Sequence, residues 1–305
     1  MMSGNTLRGI FVPTLTPVDD NLAIDVPRWA ELSLHLLETG AHGLCPFGTT
    51  SEANSFSVEE REDALVQLIE GGIDPAVLMP GTGCCALSDS VRLTAHAVKQ
   101  GCGGVLFLPP FYYKGVSDEG LYRSVAETID RVGDDRLRMY LYHIPPQAVI
   151  GWSLDLIERL ITDFPETVVG IKDSSGDWDN QNGLLTRFPG FGIFTGSELF
   201  LRKNLQGGGA GSINAVANLI SPFERKLFDN WQSPEADEWQ AQINQLRPTY
   251  TGMAPIPAIK QLMAHYHNDL AWLRLRPPLV PLSESDAATL LFKVKPLTVM
   301  ANASW

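Results

Sequence analysis

Short runs of apolar residues recur through the first two-thirds of the chain, at residues 9–13, 43–47, 76–80, 103–108, 138–142, 167–171, 192–195 and 211–213. Their hydrophobicity is continuous rather than alternating, as expected of strands in a parallel sheet covered by helices. Between most of them the period changes to that of a helix. Trp29, Leu32 and Leu36 fall at i, i+3 and i+7, and Gly40 stands where a helix ends. Ser57-Val58-Glu59-Glu60 reads as a capping box opening the next helix, and Ser117 and Ser153 have the character of N-caps further on. Strand–helix units recurring about every 30 residues predict an α/β fold, a closed (β/α)8 TIM barrel. The competing arrangement is an open, doubly wound sheet.

Past Ser221 the strand signal stops, and helical stretches follow near 222–231, 234–246, 257–267 and 285–299. The pattern therefore predicts a barrel catalytic domain over residues 1–220 and a C-terminal helical domain over 221–305. A length of 305 residues accommodates both, since such a barrel takes roughly 250 residues.

Charge and composition narrow the choice of partner. The formal net charge of −12, with no local run of Lys and Arg, repels phosphate backbones and anionic lipid, so no nucleic-acid partner is expected. No apolar stretch approaches the roughly 20 residues of a membrane helix, and the first residues lack a basic segment followed by an apolar one. The expectation is a cytoplasmic protein with no membrane partner. Cys45, Cys84, Cys85 and Cys102 show no CxxC spacing and are expected to be buried free thiols. His265 and His267 are two apart, which on a helix turns them to different sides, and the other histidines are dispersed, so no metal is expected. The glycine-rich stretch 207–211 precedes a strand and lacks the strand–loop–helix order of a phosphate loop; it reads as punctuation.

In barrel enzymes the reacting groups stand at the C-terminal ends of strands. One apolar run leads directly into Lys172, and its predecessor ends at Tyr142. Burial disfavours an ammonium, so a lysine at the top of a strand can present a free amine that condenses with a ketone. The resulting iminium is an electron sink for making or breaking the adjacent carbon–carbon bond, and a nearby tyrosine can shuttle the protons. The bland alternative has Lys172 reaching solvent to pair with Asp173 or Asp177, and Tyr142 merely lining the core. A third strand end, Gly48-Thr49-Thr50-Ser51-Glu52, sets a glycine before two hydroxyl residues, which offer backbone and side-chain donors to the carboxylate of a keto acid; an ordinary turn is equally consistent with it.

Together, the segments Gly48-Thr49-Thr50-Ser51-Glu52, Pro80-Gly81-Thr82-Gly83, Pro109-Pro110-Phe111-Tyr112-Tyr113, Tyr142-His143-Ile144-Pro145 and Gly170-Ile171-Lys172-Asp173 resemble the pyruvate-dependent class I aldolase superfamily of dihydrodipicolinate synthase and N-acetylneuraminate lyase. The resemblance implies that Lys172 forms a Schiff base with pyruvate or a related 2-keto acid, that Tyr142 relays protons, and that Gly48, Thr49 and Thr50 hold the keto-acid carboxylate. It implies a Thr50–Tyr142–Tyr113 relay completed in many relatives across a subunit interface, hence a homo-oligomer, a dimer or commonly a tetramer. Gly196 and Ile213 match backbone positions that line the pocket, and Glu198 matches an acidic residue set against substrate hydroxyls in sugar-acid lyases. No cofactor is implied. At one position the chain departs from the pattern: dihydrodipicolinate synthases follow Tyr-x-x-Pro with an arginine that engages the aldehyde's carboxylate, and here that position is Gln147, which carries no charge. Ser51 also replaces the usual glycine. The reading that follows is a lyase acting by aldol cleavage, condensation or dehydration on a hydroxylated 2-keto acid. Dihydrodipicolinate synthase proper, and a keto-acid-binding regulatory barrel without chemistry, are the alternatives.

Overall fold

In the computed structural model, which describes residues 6–301, the chain forms two units: residues up to 9 with 74–213, and residues 10–73 with 214 onward.

Strand β1 (Gly9–Val12), which from Ile10 on belongs to the unit of 10–73 and the C-terminal segment, pairs in parallel with β2 (Gly43–Leu44) in the register Phe11↔Gly43 and Val12↔Leu44. The intervening helix, Val26–Thr39, starts where the Asp25 carboxylate accepts from the Arg28 backbone and buries the expected stripe of Trp29, Leu32 and Leu36. Gly40 closes it for a steric reason: a Cβ there would lie 2.5 Å from the Ser221 carbonyl carbon. The capping box at Ser57 forms in full and opens helix Val58–Glu70. Helices Ala217–Asp229, Ala236–Asn244, Arg247–Tyr250, Pro255–Tyr266, Glu284–Val294 and Thr298–Ala301 complete the unit. A kink at Ile220 divides the first of these into two helical segments, and the second, with Pro222 in its first turn, starts where the periodicity predicts.

The other unit carries β3 (Val105–Phe107), β4 (Met139–His143), β5 (Val168–Asp173), β6 (Gly192–Thr195) and β7 (Gly211–Ser212), all buried and each parallel to its neighbour in that order. Helices Leu87–Lys99, Asp118–Val132, Leu154–Asp163, Trp178–Arg187 and Leu201–Gln206 alternate with the strands. Ser117 and Ser153 cap two of them, accepting from Gly120 N and Leu156 N.

Among the described residues seven of the eight expected strands form. The stretch 76–80 does not: it opens within the 3-10 turn Pro75–Val77, makes an isolated bridge at Leu78, and is followed by the parallel bridge Gly81↔Leu106. Pro75 and Pro80 bracket it, and neither supplies a backbone N–H to a ladder. Pro80 instead accepts from Leu106 N at 2.9 Å, and Thr82 N donates to Leu106 O at 3.0 Å.

The cysteine expectation needs correction. All four are free, but only Cys45 is buried; Cys84 and Cys102 are half-buried and Cys85 is exposed. Cys84 and Cys85 fall in the loop leading to helix Leu87–Lys99 rather than inside a strand, and apolar character alone does not bury a loop residue.

Candidate active site

β4 and β5 lie side by side with Tyr142 opposite Lys172. Lys172 is 3 % exposed and Tyr142 4 %, and the Lys172 Nζ sits 4.2 Å from the centre of the Tyr142 ring. The expected nucleophile and proton shuttle therefore meet, in dry surroundings. Residues two apart on a strand share a face, so Tyr140 stands beside Tyr142 and Gly170 beside Lys172. Tyr140 fills the space below them. Its ring lies so close to Gly104, Gly170 and Gly192 that a Cβ at Gly170 would fall 2.3 Å from its Cδ1, and its hydroxyl accepts from Leu7 N at 2.8 Å.

The carboxylates that could have drawn Lys172 outward are engaged elsewhere. Asp173 accepts from Ser175 N at 2.8 Å and Asn180 Nδ2 at 3.0 Å, while the exposed Asp177 caps the next helix by accepting from Asp179 N. His143, beside Asp173 on the opposite face, accepts from Trp152 N at its Nδ1 (3.0 Å). Burial lowers its pKa, against a smaller opposing pull from Asp173. Trp152 Nε1 also donates to Tyr142 O at 3.1 Å, so the loop after β4 is pinned back onto the strand. A Cβ at Gly151 would fall 2.4 Å from the His143 ring, which leaves room only for glycine. That loop presents Gln147 exposed on the short helix Pro145–Ala148.

At the end of β6, Gly196 N donates to Asp173 O at 2.6 Å, and a Cβ there would collide with Ser174 Oγ at 2.0 Å. Glu198 follows, fully buried, and Ile213 N donates to Thr195 O at 2.9 Å. Tyr113 is not drawn into the interior: it is 70 % exposed, its ring meets Tyr112 edge-on at 5.3 Å, and it lines a cleft of about 560 Å³ with Cys84, Cys85, Pro110 and Arg123.

Gly48, Thr49 and Thr50 belong to the other unit. They form a turn in which Glu52 N donates to Thr49 O at 3.0 Å and Ala53 N to Gly48 O at 3.2 Å. Thr50 is buried and Thr49 half-buried. Ser51 is buried and interlocked with the stretch after β1: its Oγ donates to Thr14 O at 2.5 Å, and its carbonyl accepts from Thr16 Oγ1 at 2.9 Å. Glu52 ends the turn in the left-handed region (φ 57°) with its carboxylate buried, 2.5 Å from Lys260 Nζ. Lys260 is 1 % exposed and was not singled out from sequence. Its signal was nevertheless present: the only lysine or arginine of a mostly apolar helix, Pro255–Tyr266, next to Ile259.

No cluster of three or more His, Cys, Asp or Glu side chains able to hold a metal ion occurs among the described residues, and none of their helices is long and apolar enough to cross a membrane.

Comparison with known proteins shows the family. The model of the dihydrodipicolinate synthetase family matches residues 6–296. The chain is 33% identical over 285 residues to an uncharacterized DapA-like lyase of Chloroflexus aurantiacus, covering 93% of this chain and 94% of that one. It is 30% identical to the 4-hydroxy-tetrahydrodipicolinate synthase of Pelagibacter ubique, over 75% of this chain and 78% of the relative. Among solved structures, dihydrodipicolinate synthase from Agrobacterium tumefaciens superposes with a TM-score of 0.89 at 28% identity, covering 95% of this chain and 99% of that one.

Proposed function

Because the chain belongs to the dihydrodipicolinate synthetase family, we propose that it is a lyase whose Lys172 forms a Schiff base with pyruvate or a related 2-keto acid. The observation that carries this reading is the buried pairing of Lys172 with Tyr142 on adjacent strands. Lys172 Nζ, as the free amine, adds to the C2 carbonyl. The Tyr142 phenol gives one proton to the resulting oxygen and the nitrogen passes it a second, so that it leaves as water and the product is a protonated imine. Loss of a proton from C3 yields an enamine, whose carbon attacks an aldehyde. Run backwards, the same steps cleave an aldol, and loss of a hydroxyl group next to the enamine gives dehydration. Hydrolysis of the imine returns the lysine. No cofactor is required by any step.

In this reading the Gly48-Thr49-Thr50 turn holds the C1 carboxylate, Gly196 and Ile213 contribute backbone to the pocket, and Tyr113 completes the proton relay from a second copy of the chain. Its exposure in the isolated chain supports that last role. The enzyme would act in the cytoplasm as a dimer or tetramer. The seven parallel strands support a (β/α)8 barrel over 1–220, and the run of helices after them supports a helical domain over 221–305. Gln147 in place of an arginine, and the buried Glu198, favour a hydroxylated, sugar-acid-like substrate over an aldehyde bearing a second carboxylate. The named synthase relatives favour dihydrodipicolinate synthase proper as a second reading. A panel of aldehydes and sugar-derived 2-keto acids, assayed for pyruvate consumed or released, separates the two. Treatment with pyruvate and borohydride followed by intact mass tests the mechanism: wild type should gain one reduced pyruvyl group and Lys172→Ala none. An unmodified wild type would refute it and favour a binding protein.

A further inference from the structure

Lys260 and Glu52 form a buried ion pair at the base of the Gly48-Thr49-Thr50 turn, with Nζ 2.5 Å from Glu52 Oε1, and the ammonium also donates to Thr16 O at 2.9 Å and Arg274 O at 2.8 Å. The other Glu52 oxygen accepts from Arg276 N at 3.2 Å, and the Arg276 guanidinium is itself fixed to Leu22 O, Ser55 O and the Glu60 carboxylate. Thr16, which gives its carbonyl to Lys260, gives its hydroxyl to Ser51 O. Lys260 thus grips the turn from both sides, through Glu52 directly and through Thr16 and Ser51.

Such an arrangement is a poor device for stability. A buried ion pair is often no better than apolar residues of the same volume, because desolvation offsets the attraction. Glu52 adds strain, since a non-glycine residue persists in the left-handed region only where its surroundings over-determine it. What the pair does supply is a fixed geometry for a strained turn. Nor is Lys260 a rival nucleophile: its ammonium is ion-paired, donates to two backbone carbonyls and is shut from solvent.

We infer that Lys260 and Glu52 are positioning residues for carboxylate recognition, holding the Thr49 and Thr50 donors in the orientation that selects a keto acid over a simple ketone. The inference rests on the reading of Thr49 and Thr50 as the carboxylate anchor. It predicts a defect confined to substrates that carry a carboxylate.

The test is borohydride trapping at Lys172 over a range of pyruvate concentrations, with acetone as the carboxylate-free control. It uses the full chain and the variants Glu52→Gln and Glu52→Gln/Lys260→Met, with folding checked by thermal melts. The double variant removes both charges while keeping their bulk, and the single one keeps size and an acceptor should the double fail to fold. A 1 Å misplacement costs up to about 10²-fold, so the half-saturating pyruvate concentration should rise about tenfold or more, with the maximal trapping rate within about threefold of wild type. Trapping of acetone should not change. Folded variants with wild-type pyruvate dependence, or with pyruvate and acetone trapping slowed alike, would overturn the inference alone. Failure of wild type to form any adduct would overturn the Schiff-base reading and this inference with it.

Discussion

Replacing Gly170 by alanine places a methyl group where the structure has no room for one. Its Cβ would lie 2.3 and 2.6 Å from Cδ1 and Cε1 of Tyr140, and 2.5 Å from the Gly192 carbonyl oxygen. Neither neighbour can yield cheaply. The Gly192 carbonyl belongs to the strand paired with β5, and the Tyr140 ring is fixed by its hydroxyl bond to Leu7 N and by an edge contact with Phe194 at 5.9 Å. Overpacking of this kind costs about 1–3 kcal/mol, and loss of the Leu7 bond adds about 0.5–1.5 kcal/mol, for roughly 2–4 kcal/mol together. At about 2–4 °C per kcal/mol, the melting temperature should fall by roughly 4–16 °C. Because Lys172 and Tyr142 stand directly beyond Gly170 and Tyr140, trapping of pyruvate by borohydride should slow as well. Scanning calorimetry and trapping on the same sample read both effects. Trimming the ring should relieve part of the clash, so Gly170→Ala/Tyr140→Leu should lose less than the sum of the two single losses. A Gly170→Ala protein that melts within about 1 °C of wild type would refute the close-packed floor beneath the site.

Three further outcomes follow from the same geometry. Tyr142→Phe should keep the fold, since the ring remains, but slow imine formation by about 10²–10⁴-fold, measured by single-turnover trapping; an unchanged rate would remove Tyr142 from the proton path. Burial lowers the pKa of His42, His143 and His267, so the folded state resists a proton that the unfolded state takes up below its ordinary value; stability should therefore fall as pH drops below about 6.5. His143→Gln should make that fall in the urea midpoint shallower, and an identical pH dependence would contradict the assignment. With Ellman's reagent on the native protein, Cys85 should react first, whereas Cys45 is buried and Cys102, its thiol pushed up to about 12 by burial, should wait for unfolding.

Much of the fold was legible because it is written in local patterns. The stripe of Trp29, Leu32 and Leu36, the capping box at Ser57 and the caps at Ser117 and Ser153 all depend on neighbours within a turn or two, and all formed as read. The meeting of Lys172 and Tyr142 was legible for a related reason: each ends an apolar run, and successive strands of a parallel sheet bring their ends together. The stretch 76–80 misled because its apolar content resembles a strand while its bracketing prolines limit the ladder. Other features depend on distant pairs. Lys260 meets Thr16 across 244 residues of sequence, and the Tyr140 hydroxyl meets Leu7 across 133. No periodicity carries such contacts; only the isolated lysine in a mostly apolar helix hinted at one of them.

The central claim is a covalent bond at one particular nitrogen, and a crystal structure of the protein soaked in pyruvate tests it most directly. Continuous density from Lys172 Nζ to C2, with the carboxylate oxygens on the Thr49 and Thr50 donors, is the predicted result. Pyruvate lying unbonded beside Lys172, or joined to another lysine, would contradict it.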